Sequence, residues 1–331
     1  MPCVQYHVPI HHWYAAMSVK KVTNHAVSVY SRLKNIARVK HLDFSRLLIR
    51  YAIERFLYRL GESQYANNFV LKGGNLFIIW QNGETPRTTM DSDFLFFGDA
   101  SEEHLKKIFT DLVTSNICPE DGMHYLPETI ETVSIREERE YGGTRITLNA
   151  YLGTAHIPMQ FDIGIGDVIT PSPESSVFPV LLPLPKPRIK SYPPVTSIAE
   201  KLDNMVIREL DNSRMKDFYD IWLLSTLFEY NLKELSNVIH NTLTRRGTNL
   251  PLTIPVSLTK EFADNKMKQV QWKAFLRKNG LSDAPQDLHE VIARLSAFLL
   301  PALWSRDATV ECWNHHTGKW MNDVEQIKQK R

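Results

Sequence analysis

The sequence predicts an α+β fold of two domains: a first domain on a mixed sheet and a helical domain C-terminal to it. Three observations predict it. Apolar–polar alternation returns in three consecutive short runs, 132–136, 144–151 and 156–163, separated by Gly-Gly and Gly-Thr turns; such runs pair antiparallel, whereas the helix-separated strands before them leave room for parallel neighbours. Pro171, Pro173, Pro179, Pro183, Pro185, Pro187, Pro193 and Pro194 then crowd one segment that excludes helix and favours an extended connection. Beyond it the apolar residues recur at helical spacing. A chain of 331 residues suits two cores, so the boundary falls in the proline segment, giving domains 1–190 and 191–331.

The elements follow in order. Residues 24–60 read as two helices, because Leu47, Leu48, Tyr51, Ala52, Phe56 and Leu60 share a face, with Asp43 as N-cap and Gly61 as C-cap. Tyr51, Glu54, Arg55, Tyr58 and Arg59 read as packing and ion-pair residues that hold these helices on the sheet. A buried strand covers 69–72, a helix 75–81, and a second strand 92–97. Ser101-Glu-Glu opens a helix to about Asn116 by N-cap and acidic first turn. After the three alternating strands and the proline segment come helices over about 197–210, 214–228, 232–244, 258–278 and 285–299, and a final helix ending in Lys328-Gln-Lys-Arg. His315-His316 forms no metal pair, because adjacent helical residues diverge.

Two stretches carry chemistry. Phe69-Val-Leu-Lys-Gly-Gly-Asn75 runs an apolar strand into a Gly-Gly turn, and Arg87-Thr-Thr-Met-Asp91-Ser-Asp93 opens another strand with two carboxylates. Strand side chains alternate faces, so Asp91 and Asp93 point the same way and can hold divalent cations, Mg²⁺ or Mn²⁺, between them. A turn using Asp only for backbone hydrogen bonds is the plainer alternative. Gly73 and Gly74 bare the backbone where a triphosphate would approach amide N–H groups. Asp162, ending the strand over 156–163, is a candidate third carboxylate; Asp167 in the Gly164-Ile-Gly166 loop could equally be a turn residue. Lys201 sits behind Glu200 in a helix, with Arg208 seven residues on, and by spacing alone is open to reading as a surface lysine. Arg214, Asp217 and Asp220 line one helical face at intervals of three, with Phe218, Ile221 and Trp222 turned to the core.

At these residues the chain resembles the polymerase-β-like nucleotidyltransferases, and more narrowly the AbiEii/AbiGii toxins of abortive-infection and type IV toxin–antitoxin systems. The likeness spans about Ser18 to Leu224 and rests on four ordered blocks: 51–60, the Gly-Gly and Asp-x-Asp pair, Gln160-Phe-Asp-Ile-Gly-Ile-Gly-Asp167, and Ile198-Ala-Glu-Lys-Leu202 with 212–220. The superfamily usually carries Ser or Thr after the second glycine; here Asn75 stands there, with an amide that can still donate to a phosphate. The resemblance implies transfer of a nucleoside monophosphate from an NTP to a hydroxyl, with Asp91, Asp93 and Asp162 at the metal. It further implies Lys201 on the phosphates and Asp217 and Asp220 in the nucleotide site, with Gly73, Gly74, Asn75, Arg87 and Arg214 as nucleotide-binding neighbours. It implies RNA, above all the tRNA 3′ end, as acceptor, with translation arrest, antiviral defence and an antitoxin encoded alongside. Transfer to a protein or small molecule stays open, as does a non-catalytic nucleotide-binding partner protein. A glycosyltransferase would need the Asp-x-Asp without the Gly-Gly turn and the lysine block.

Composition bounds the rest. Hydrophobic residues at 43% and charged residues at 23% are ordinary for a globular protein, and no uncharged apolar run is long enough to span a bilayer. Residues 1–16 lack the pattern of a secretory signal and, lying before the resemblance begins, read as an extension or a mis-called start; three cysteines without metal-ligand spacing suit a reducing compartment, so the expected location is the cytoplasm. The net charge of +2 is uninformative, but 16 Lys and Arg against 10 Asp and Glu between Lys186 and Lys278 give that half a mild basic bias, as a polyanion or a solvated helical surface would have.

Overall fold

The computed structural model describes residues 24–84, 87, 89–135, 142–166, 169–304 and 311–322. The chain runs α1 (His25–Val39), α2 (Phe44–Gly61), β1 (Phe69–Lys72), α3 (Leu76–Trp80), β2 (Asp91–Phe96), α4 (Glu102–Thr114), β3 (Met123–Ile135), β4 (Gly143–Leu152), β5 (Ala155–Ile165), β6 (Glu174–Val177) and β7 (Arg188–Ser191). The second half is α5 (Pro194–Arg208), α6 (Met215–Leu227), β8 (Tyr230–Asn231), α7 (Leu232–Arg245), α8 (Lys260–Asp264), α9 (Lys266–Asn279), α10 (Leu288–Trp304), β9 (Glu311–Asn314) and β10 (Lys319–Asn322). The fold is α+β: a seven-stranded mixed sheet ordered β3-β4-β5-β2-β1-β7-β6 and a largely helical half. The sheet is mixed because β2 lies parallel to β5, and β1 parallel to β7, while the other pairs are antiparallel.

Two apolar cores form. One, from Val29 to Tyr192, packs α1, α2 and α4 on the sheet; the other, from Val195 to Trp313, fills the helical half. Phe77 of α3 crosses over and is buried in the second, so the short helix after the Gly-Gly turn is anchored in the opposite half. α2 is held as its residues suggest: Asp43 caps it by accepting the Arg46 N–H at 2.8 Å, Arg59 meets buried Asp121 at 2.6 Å, and the Tyr51 hydroxyl donates to the Asp121 carbonyl at 2.8 Å. Glu54 pairs with Arg55 at 3.1 Å with both side chains enclosed.

Several expectations are corrected. Gly61 is the last residue of α2, not a C-cap; a Cβ there would overlap the Arg188 carbonyl oxygen, so the glycine serves β7's close approach. Ser101 makes no side-chain cap, and the carboxylate of Asp99 accepts its N–H at 3.0 Å instead. β3 begins nine residues before Thr132, at Met123. A register shift between Leu126 and Glu131 takes up Pro127, and the Thr129 hydroxyl accepts the Asn149 N–H at 2.9 Å. The proline segment is no bare connection: β6 and β7 lie between its prolines and extend the sheet edge, while Pro194 starts α5, where its missing N–H costs nothing.

In the second half, the helix expected over 258–278 breaks at Asn265, whose side chain accepts the Met267 and Lys268 N–H groups to start α9. The helix expected over 285–299 is α10, which runs on through Pro301. This half also holds a small sheet, β10-β9-β8, that buries Trp313 and lays Trp320 against Phe298. His315 and His316 lie in its β9–β10 turn, not on a helix. The final helix, Asp167 and Cys3 lie outside the described residues. Among the described residues no helix is long and apolar enough to cross a membrane.

Candidate active site

Register places the three carboxylates. In the parallel pair β2–β5, Asp93 is the partner of Asp162 and Asp91 the partner of Gln160, so residues two apart on β2 and one on β5 share a face of the sheet. Asp91, Asp93 and Asp162 are half-buried, and one carboxylate oxygen of each lies within 4.8 Å of the others. Burial first, and the neighbouring Asp91 second, push the Asp93 carboxyl up to about 6, against the pull of Lys72 and Lys216. Three hard oxygen donors crowded this way fit a divalent cation such as Mg²⁺ or Mn²⁺, whose charge would relieve their repulsion.

The Gly-Gly turn abuts them. Gly73 has φ of +71°, and a Cβ on it would overlap Oδ2 of Asp93; a Cβ on Gly74 would overlap the Thr89 hydroxyl and come within 3.2 Å of Arg87 Nη1. The turn therefore lies between Asp93 on one side and Thr89 with Arg87 on the other. Asn75 is buried, and its side-chain amide donates to the Asp91 carbonyl at 2.9 Å and the Ser92 hydroxyl at 3.0 Å. The expectation that this amide reaches a phosphate is thereby corrected, because both N–H groups brace β2.

The cationic residues expected at the site are paired. Arg87 makes a two-point contact with Asp220 on α6, Nε to Oδ1 at 2.7 Å and Nη2 to Oδ2 at 2.8 Å, and lies over the Phe77 ring. Lys201 on α5 reaches Asp220 at 2.9 Å and Asp217 at 3.4 Å, and Arg214 reaches Asp217 at 2.8 Å. Asp217 and Asp220 are as buried as Phe218 and Ile221 beside them. Burial alone would raise the Asp220 carboxyl, but Arg87 and then Lys201 hold it below the ordinary value. Burial likewise acts to lower the Lys201 ammonium, and Asp220 and Asp217 more than offset it.

Two residues at the site, Lys72 and Arg145, escape sequence reasoning. Lys72, the cross-strand partner of Asp93, extends under Gly164 and lies 3.9 Å from Glu200. Arg145 is the β4 partner of Asp162 and grips both its oxygens at 2.8 Å. Lys216, exposed beside Asp217 in the 212–220 block, also acts on Asp93. Lys72 carried a signal, preceding the Gly-Gly turn directly; Arg145 becomes visible only with the register of β4 on β5.

The family model of the AbiEii toxin, a nucleotidyl transferase of type IV toxin–antitoxin systems, matches residues 55–299. No curated protein matches the chain. Among solved structures, JHP933 of Helicobacter pylori is similar at a TM-score of 0.38 and 13% identity, over 72% of this chain and 96% of that one. A second H. pylori protein, provisionally described as a nucleotidyltransferase, is similar at 0.37 and 13%, over 72% of this chain and 99% of that one.

Proposed function

The chain belongs to the AbiEii family of nucleotidyl transferase toxins, and from that premise we propose a metal-dependent enzyme that moves a nucleoside monophosphate from an NTP to an RNA hydroxyl. The observation that carries the metal dependence is the convergence of Asp91, Asp93 and Asp162 within 4.8 Å on one face of the sheet. Mg²⁺ or Mn²⁺ held there would supply charge stabilisation for an in-line displacement.

The chain's own residues divide the remaining work. The Gly-Gly turn presents bare backbone to the phosphates, since neither glycine has room for a side chain. Lys201, Arg87 and Arg214 supply positive charge from the far wall, and the buried carboxylates of Asp217 and Asp220 fix their orientation. Arg145 positions Asp162, the group nearest in kind to a base for the attacking hydroxyl. The acceptor we favour is the tRNA 3′ end, with translation arrest as the consequence in the cytoplasm and an antitoxin as partner; the family and the basic bias of residues 186–278 support this reading. Division of labour between domains 1–190 and 191–331 is part of the proposal.

The test is incubation with each labelled NTP, Mg²⁺ and total bacterial RNA. Label should pass to RNA, and Asp91→Ala or Asp93→Ala should cut transfer by on the order of a hundredfold or more with the fold intact. Full activity in either purified variant would remove the metal assignment, and label on protein alone would remove the RNA acceptor.

A further inference from the structure

A cavity of about 360 Å³ opens between α2, the Gly-Gly turn and the C-terminal end of α9, with Arg46, Arg50, Asn75, Arg87, Thr89 and Gly280 on its wall. Its size falls at the lower end of small-molecule sites. The cavity adjoins the carboxylate site without including it: Asn75 lines it and donates to the Asp91 carbonyl. Thr89 and Arg87 line it too, on the side of the turn away from Asp93.

Its wall is short of negative charge. Arg87 is matched by Asp220. The carboxylate in the lining, Asp43, is engaged as the cap of α2. Arg50 is different. Its Nε is enclosed with no hydrogen-bond partner among the described residues, and its guanidinium reaches across to the Gly83 turn. Burial lowers its pKa, and Glu54, which acts in opposition, is already bound to Arg55 and to the Leu181 N–H at 2.8 Å. An enclosed donor that finds no hydrogen bond within the fold costs stability, and a fold keeps such a group where a ligand completes it.

We propose that this cavity binds a phosphate-bearing nucleotide unit, with the Arg50 guanidinium as its anchor on the phosphate. A planar fork of donors suits a phosphate oxygen pair, and the cavity's place across the Gly-Gly turn from the carboxylates puts the unit next to the reacting groups. The proposal rests on the nucleotidyl-transfer reading for its choice of anion. The same chemistry can come from a free NTP or from the end of an RNA strand, and these are separable by experiment.

Wild type, Arg50→Lys and Arg50→Gln would be titrated with each NTP and, separately, with a short 3′-hydroxyl RNA, while thermal stability is followed in parallel. Arg50→Gln should weaken one of the two probes roughly tenfold or more, with thermal stability unchanged or raised. Loss of NTP binding marks a nucleotide subsite. Loss of RNA binding, with the salt slope reduced by about 0.7, marks an acceptor subsite. Arg50→Lys should restore part of the lost affinity. Unchanged affinity for both probes, no binding of either to wild type, or a loss that tracks a fall in thermal stability would overturn the proposal. Should wild type transfer no label at all, the enzymatic reading fails while these titrations still decide the cavity.

Discussion

Arg87 and Asp220, 133 residues apart in the chain, meet in a two-point contact that ties the segment before β2 to α6. Lys201 adds a second cation to the same carboxylate at 2.9 Å. Asp220 is therefore the counter-charge of two buried cations, whatever else it does.

Asp220→Asn should accordingly cost stability as well as activity. Removing one partner of a buried ion pair leaves the other uncompensated, typically at 3–5 kcal/mol. Lys201→Met should cost less, because Asp220 keeps Arg87 and Asp217 keeps Arg214. Denaturant unfolding of the two variants and the double variant gives the coupling directly. A loss below about 1 kcal/mol for Asp220→Asn would show that the pair contributes little.

The raised pKa of Asp93 makes both cation binding and stability pH-dependent, in opposite senses. With the folded value near 6 and the ordinary one at 3.8, the folded protein holds this proton more tightly than the unfolded chain. Without metal, this group's contribution to stability should fall as pH rises from about 4 to about 6 and then level off. Cation affinity should rise about tenfold per pH unit below 6 and level off above it, since the cation competes with the proton. Asp93→Asn should abolish both trends, as calorimetry and melting curves across pH 4–8 would record.

What was legible in the sequence follows from the range of the interactions. β1, the Gly-Gly turn and β2 were readable because their pattern is local: alternation, two glycines, two carboxylates one residue apart. Asp162 is legible only as the end of an apolar strand, and the register that sets it beside Asp93 on one face is not written in the sequence. β6 and β7 were hidden because prolines flank them and each strand is four residues long. Arg145 and the burial of Asp220 were illegible for a different reason. Each depends on a partner far off in sequence, and an arginine on a strand or an aspartate on a helix carries no mark of it. Arg50 is equally unmarked, one more charged residue on α2.

Gly73→Ala should be among the most damaging single-methyl changes in the protein. The residue sits at φ +71°, where an L side chain is strained, and the new Cβ would overlap Asp93 Oδ2. Strain of this kind costs about 1 kcal/mol or more, and displacing Asp93 should abolish cation binding at the carboxylate cluster. Melting temperature and Mn²⁺ titration together check it. Retained cation affinity would mean that the turn and the carboxylate are less tightly coupled than their spacing implies.

Arg145→Gln should separate the positioning of Asp162 from its charge. Arg145 is 43% exposed on its side chain and Asp162 23%, so their pair contributes at most about 1 kcal/mol to folding, and the variant should melt within a few degrees of wild type. Its effect on the carboxylate is larger. In wild type both Asp162 oxygens accept from the guanidinium, so a cation is limited to their remaining lone pairs and must approach a fixed positive charge. Replacing Arg145 with glutamine removes that charge while leaving a neutral amide that can still donate. Mn²⁺ should therefore bind Arg145→Gln several-fold more tightly than wild type, while transfer falls because Asp162 is no longer held at one angle. Calorimetric Mn²⁺ titration beside a transfer assay reads both quantities. Weaker cation binding in the variant would show that Arg145 organises the carboxylate cluster and does not compete for it.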